Sequence, residues 1–249
     1  MQVKAAPRGF LSGNALKLIA AAAMLTDHVG LMFFPGNMLF RLVGRLALPI
    51  YAFMIAEGCR YTRNRAKYFL TVFGLGVICQ VVYYFFAGST YFSILITFSL
   101  SILTLYSLQF FRATVFDPEA SPGRQLLAAL CFPGAVAAVW LLNRRFSINY
   151  GFWGCMLPVF AGAFQRPRDI PEDGLSRLDK PLVHIGMLTV GLTVLGMDLG
   201  RIQLYALLAV PLLLCYSGQR GKGNLKYFFY IFYPVHLALL QALAMLLGT

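Results

Sequence analysis

The chain has 249 residues, of which 59% are hydrophobic and only 12% charged. Its mean hydropathy is +0.71, which excludes an ordinary soluble domain, where about 25% of residues are charged. The net charge of +12 resembles that of a nucleic-acid binder, but the placement of the basic residues points to membrane topology, so a lipid bilayer and no nucleic acid is the expected partner. At about 20 residues per crossing, residues 1–249 form a single membrane domain with no room for a soluble module.

Along the chain, the first ten residues are polar to mixed. The apolar stretch behind them is too long for a signal core and lacks a small-residue exit, so no cleavable leader is expected. Nine apolar runs follow, separated by turn and charge signals. They cover about 16–35, 38–60, 66–88, 92–111, 125–142, 150–164, 181–198, 202–217 and 226–248. The sixth is short and glycine-rich. This pattern predicts an all-α, polytopic integral membrane helix bundle of about nine transmembrane helices.

Basic residues set the orientation. With the N-terminus in the cytoplasm, the inner segments carry Lys4, Arg8 and Lys17, the run Arg60 to Lys67, Arg112 and Arg124, Arg166, Arg168, Arg177 and Lys180, and Arg220, Lys222 and Lys226. The outer loops hold only Arg144, Arg145 and Arg201. That asymmetry predicts a cytoplasmic N-terminus and an external C-terminus. Cys59, Cys79, Cys131, Cys155 and Cys215 fall in or at the ends of apolar runs without CxxC spacing, so they read as small buried apolar residues.

Two polar clusters interrupt the first two runs: Asp27-His28, then Arg41 and Arg45. Charged side chains near mid-bilayer cost roughly 2.5–3.5 kcal/mol each even on lenient scales, which points to a protein or water-filled interior with a task. The turn Pro35-Gly36-Asn37 makes the two runs a hairpin, placing His28 and Arg45 about 10–12 Å below it. Asp27 can then pair with Arg41 or Arg45, which share a face at i,i+4. Lys17 and Glu57 lie at the inner ends of the same runs. Lys17 and His28, eleven residues apart, fall within about 20° of one helix face. Gln80 sits at a depth similar to His28. The last run carries Lys226, Tyr230 and Tyr233, then His236, with Pro234 expected to kink the helix. Each polar group also has a structural reading: Asp27 with an arginine as an ion pair holding the hairpin, Tyr230 and Tyr233 as packing, His236 as an interior histidine, and Arg60 to Arg65 as a topology anchor.

Several segments together resemble a known family. Leu16-Lys17-Leu18-Ile19-Ala20 leading to Met24 through Gly30 is one. Arg41 through Ile50 followed by Glu57-Gly58 is another. Tyr61-Thr62-Arg63-Asn64 and Phe229 through Leu237 complete the set. They are similar to the motifs of the TraX family, whose founding member N-acetylates the amino terminus of conjugative F-type pilin. Lys17-x10-His28 is also similar to the basic-x10-His pattern of wider membrane acyltransferases, including polysaccharide O-acetyltransferases. The strong matches cover 16–90 and 220–240; between them only Tyr150-Gly151 adds a weak one.

The resemblance implies a multi-pass acyltransferase of the bacterial inner (cytoplasmic) membrane, taking acetyl from cytoplasmic acetyl-CoA. The acceptor would be an amine, such as a pilin amino terminus, or a hydroxyl on a protein, glycan or small molecule. Lys17, Arg60, Arg63, Arg65 and Lys226, with Glu57, are the expected donor-binding rim. His28 is the expected general base or nucleophile, with Asp27 holding an arginine and Arg41, Arg45 or Tyr233 stabilising the oxyanion. Gln80, Tyr230 and His236 are substrate-contacting or structural candidates. The three histidines, His28, His184 and His236, lack ligand spacing, so no metal is expected. A transporter and a non-catalytic pilus or envelope assembly factor are the rival classes. No inverted repeat favours the first, and the second needs no polar track from the inner rim to His28.

Overall fold

The computed structural model describes residues 9–88, 90–115, 117–167, 174–223 and 225–247, and only the backbone of Phe86, Ala87, Lys226 and Tyr227. Lys4, Arg8, Arg168 and the Lys226 side chain therefore lie outside the described residues. The elements are α1 (Gly13–Phe33), α2 (Met38–Gly44), α3 (Ala47–Tyr61), α4 (Arg65–Ala87), α5 (Ile94–Val115), α6 (Pro122–Arg145), α7 (Gly151–Gly162), α8 (Pro181–Leu199), a 3₁₀ helix (Arg201–Ala209), α9 (Val210–Leu214) and α10 (Lys226–Leu247). No named strand occurs among the described residues. The all-α membrane bundle is what composition and hydropathy imply.

Helix starts follow local chemistry. Ser12 caps α1 by accepting the Ala15 N–H at 3.2 Å, Asn37 caps α2 at Leu39, and Asn64 caps α4 by accepting the Lys67 N–H at 2.8 Å. Pro122 and Pro181 sit in the first turns of α6 and α8, where no N–H is needed.

Seven helical segments are long and apolar enough to cross a membrane, with α2 and α3 acting as one segment over Met38–Tyr61. That segment is not the smooth helix the sequence suggests. Its hydrogen-bond ladder is interrupted at Arg45 and Leu46, which keep right-handed helical dihedrals, because Pro49 has no N–H for the Arg45 carbonyl. The expected sixth and eighth spans are shorter, Gly151–Gly162 and Arg201–Leu214. Both still pass between the two faces. α7 leaves the face where Phe92 pairs with Ile148, and its far end meets Arg112, which donates to the Ala163 and Gln165 carbonyls at 3.0 Å. The Arg201–Leu214 segment ends at Cys215, whose carbonyl accepts the Leu11 N–H at 2.9 Å. Enclosure explains the short length of α7, most of which is buried; the Arg201–Leu214 segment leaves Tyr205, Leu208 and Leu214 exposed and gains length from its 3₁₀ part, which rises about 2 Å per residue.

α3 is the central helix, touching α1, α4, α5, α7, α8 and the 3₁₀ helix, with Ile50 and Phe53 fully buried. α6 lies outermost: it packs on α5 and α7 and buries only Ala128 and Val139. That is why Cys131 is exposed, against the expectation of burial, while Cys59, Cys79 and Cys155 are buried. α10 runs unbroken through Pro234 beside α1. Asn14 ties the starts of both helices together through the Lys222 and Gly223 carbonyls.

The hairpin tip and the α3–α4 turn thus occupy opposite faces. In a background lacking the native cysteines, Gly36→Cys should react with an impermeant thiol reagent outside the cell, and Arg63→Cys only after permeabilisation. Labelling of both from one side would contradict the arrangement.

Candidate functional site

The packing of α1 on α2 in the hairpin brings the two polar clusters together. Asp27 and Arg41 form an ion pair at 3.1 Å between Oδ1 and Nη1, although the geometry falls short of a hydrogen bond. Gly44 makes this approach possible: a Cβ there would collide with the Cβ, Cγ and Oδ1 of Asp27. Arg45, one residue on, is buried and donates to Gln203 Oε1 at 3.1 Å and the Tyr150 hydroxyl at 3.4 Å. Tyr150 itself has φ +59°, a left-handed conformation uncommon for a side chain of this size. A Cβ at Gly154 would strike Tyr150 Cβ, so that glycine leaves room for the ring. These groups line an outer cavity of about 720 Å³ that also includes His28, Tyr83, Tyr91, Ser93 and Asn149.

His28 meets a partner from the far end of the sequence. Its Nδ1 lies 2.9 Å from Nε2 of His236, and the rings stack with centroids 5.1 Å apart. His236 Nδ1 lies 2.7 Å from the Phe232 carbonyl. A carbonyl only accepts, so His236 Nδ1 carries that hydrogen. With both rings neutral, His236 Nε2 accepts and His28 Nδ1 donates. The lone pair of His28 then sits on Nε2, which no hydrogen bond occupies among the described residues. His28 is held in the tautomer that leaves Nε2 able to take a proton.

A second cavity of about 460 Å³ opens at the basic face. Lys17, Lys67 and Arg220 line it beside Asn64, and its deeper wall is aromatic, with Tyr51, Tyr68, Phe98, Tyr230 and Tyr233. Lys17 also lies over the Phe229 ring at 5.8 Å. The two cavities end close together. On α1 the inner one ends at Met24 and the outer one begins at Asp27. On α4 the corresponding residues are Leu75 and Cys79, and on α10 they are Tyr233 and Pro234. The partition is about one helical turn thick, roughly 5 Å. His28 and Cys79 lie at its outer side, and buried Tyr233 is hydrogen-bonded across it to Tyr83.

Other expected rim residues are engaged elsewhere. Arg60 donates to Asp179 at 2.9 Å, and Asp179 also contacts His184 at 3.0 Å. Glu57 is buried, accepting from Gln165 at 3.0 Å and the Tyr216 hydroxyl at 3.4 Å. Together they form a polar belt that ties α3 to the segments before and after α8. Arg63 is exposed, and Arg65 stacks over Tyr106 at 5.5 Å. Gln80 accepts the Ser93 N–H at 3.2 Å, serving the entry to α5.

Lys67, Arg220, Tyr83, Tyr150 and Gln203 are not among the candidate site residues of the sequence. Lys67 and Arg220 read there only as inner-face basic residues and Tyr150 only as part of a weak family match; Tyr83 and Gln203 carry no local signal. The hairpin contacts generate a stability prediction. Asp27→Ala should cost about 2 kcal/mol, between the surface and fully buried cases, and Gly44→Ala about 1–3 kcal/mol through overpacking. Thermal unfolding in detergent measures both, and an unchanged midpoint in either would show that the hairpin does not depend on that contact.

The TraX protein family profile matches residues 12–244. A protein of Dichelobacter nodosus described as a probable fimbrial assembly protein FimC, serogroup H1, is 29% identical over 251 residues, covering 95% of this chain and 97% of the relative. An uncharacterized protein of Rickettsia prowazekii (strain Madrid E), RP591, is 31% identical over 68 residues, covering 27% of this chain and 25% of its own length. No solved structure matches the chain. With its model matched over nearly the whole sequence, the chain belongs to the TraX family.

Proposed function

We propose that this protein is a membrane acetyltransferase that moves an acetyl group from acetyl-CoA on the cytoplasmic side to an acceptor in the outer cavity, in the service of pilus or fimbrial assembly. The observation that carries the reading is the pair of cavities meeting at a partition one helical turn thick, with a tautomer-fixed His28 on it. The likeness to a probable fimbrial assembly protein supports the pilus setting. On that ground the acceptor is assigned as the amino terminus of a pilus subunit.

The inner cavity fits the donor. Lys17, Lys67 and Arg220 offer cations for phosphates at its mouth, and the aromatic wall suits a thin, largely apolar arm. Acetyl-CoA, when bound, supplies an activated thioester. His28 Nε2 takes the proton of the attacking amine, and the hydrogen bond from His28 Nδ1 to His236 lets the second ring share the resulting charge. In this reading the hydroxyls of Tyr233 and Tyr83, which line the two cavities, stabilise the negative charge that develops on the carbonyl oxygen, and CoA departs as the thiol.

A carrier would use the same two cavities, opened in turn across the partition. Acetyl transfer separates the readings: membranes containing the protein should pass label from acetyl-CoA to an acceptor, whereas a carrier would move solute with no covalent mark.

His28→Ala should lower transfer by about 100-fold or more while leaving CoA binding unchanged. His236→Ala should cause a smaller loss, through turnover and not through donor affinity. Substantial turnover in a folded His28→Ala protein would remove His28 from the chemistry. Lys67→Gln with Arg220→Gln should weaken CoA binding, and added salt should weaken it in the unaltered protein. Unchanged affinity in both experiments would place the donor elsewhere.

A further inference from the structure

The outer cavity holds more positive charge than it matches from within. Arg41 and Arg45 line it with one carboxylate, Asp27, which forms its ion pair with Arg41. Arg45 is only 7% exposed, and its partners, Gln203 and Tyr150, are neutral and both meet Nη1. Its Nε is buried with no hydrogen-bond partner, and no acceptor among the described residues meets Nη2. A buried cation of this kind is costly unless something supplies the counter-charge. Ser93 Oγ and Gln203 Nε2, on residues of the same cavity wall, are also buried without partners.

A separate feature points the same way. α7 begins on this wall at Tyr150 and Gly151, and the Tyr150 side chain caps none of the N–H groups of its first turn. The Gly151 N–H is held by the Ile148 carbonyl at 2.9 Å, so the positive end of this 12-residue helix adds its dipole, and no free donor, beside the Arg45 guanidinium, which touches the Tyr150 hydroxyl. Next to these donors the wall is apolar, with Leu31, Met32, Val82 and Leu237.

We propose that the outer cavity contains an anion subsite, in which Arg45, beside the positive start of α7, binds a carboxylate or phosphate group carried on an apolar body. The acyl-transfer reading enters only in making this the anchoring group of the acceptor. In that role the subsite selects acceptors that carry an anion near the nucleophile, and it holds the nucleophile toward His28.

Binding to the full-length protein in neutral detergent tests this without any knowledge of the acceptor. The probes are hexanoate and hexyl phosphate, with hexanol and hexylammonium as controls, measured by calorimetry. At least one anionic probe should bind saturably, more weakly as salt is added, and about tenfold or more tighter than hexanol. Arg45→Gln should weaken that probe about tenfold or more, whereas Arg145→Gln, at an exposed cation that lines neither cavity, should leave its affinity unchanged; Lys67→Gln reports any binding in the other cavity. If the glutamine variant does not fold, Arg45→Lys keeps the charge and should still weaken binding by losing the planar fork. Preference for hexyl phosphate would trace the group to a lipid or glycan phosphate, and preference for hexanoate to a polypeptide carboxylate. Equal binding of hexanol, or loss that follows Lys67 and not Arg45, would overturn the subsite. Anion binding without acetyl transfer would overturn only the acyl-transfer reading, and transfer without anion binding only the subsite.

Discussion

A charge carried into the hydrocarbon layer must find its partner inside the protein, and in this chain the Asp27–Arg41 pair meets that demand first. The pair depends on two helices approaching within the space left by Gly44. Once it is fixed, the next turn of the chain directs Arg45 inward to Gln203 and Tyr150 and leaves His28 at the cavity edge. The break in the hydrogen-bond ladder between α2 and α3 belongs to the same construction. It lets one segment serve the outer cavity with its first half and the packed core with its second.

Two polar systems share the bundle and do different work. At the basic face, Arg60 with Asp179, Asp179 with His184, and Glu57 with Gln165 hold α3 against the segment that leads into α8. The cations Lys17, Lys67 and Arg220 instead line a cavity, and Arg45 keeps donors without partners.

Much of this was legible in the sequence. Apolar periodicity revealed the bundle, and the cost of charge in a bilayer marked Asp27, His28, Arg41 and Arg45 as one site. The hairpin geometry was sufficient to pair Asp27 with an arginine. What stayed hidden depended on contacts between distant segments. Nothing local shows that His236 lies 2.9 Å from His28, or that Gln203 meets Arg45. The arginine run from Arg60 looked like a single rim because its residues are adjacent in sequence. Helical geometry sends Arg60 to Asp179, Arg63 to solvent and Arg65 to Tyr106. Two expected spans proved short because hydropathy registers burial in protein and burial in lipid alike.

The account joins a donor cavity at the basic face to an acceptor cavity at the opposite face through a histidine pair and a tyrosine pair. Its central claim is that a covalent acetyl mark is made at this partition. The most direct measurement is comparative mass spectrometry of envelope proteins, lipids and glycans from cells with and without this protein. The account predicts that pilus-subunit amino termini lose one acetyl group when the protein is absent and regain it when the unaltered chain is restored. An identical acetylation pattern in the two cell types, with pilus assembly nonetheless impaired, would contradict it.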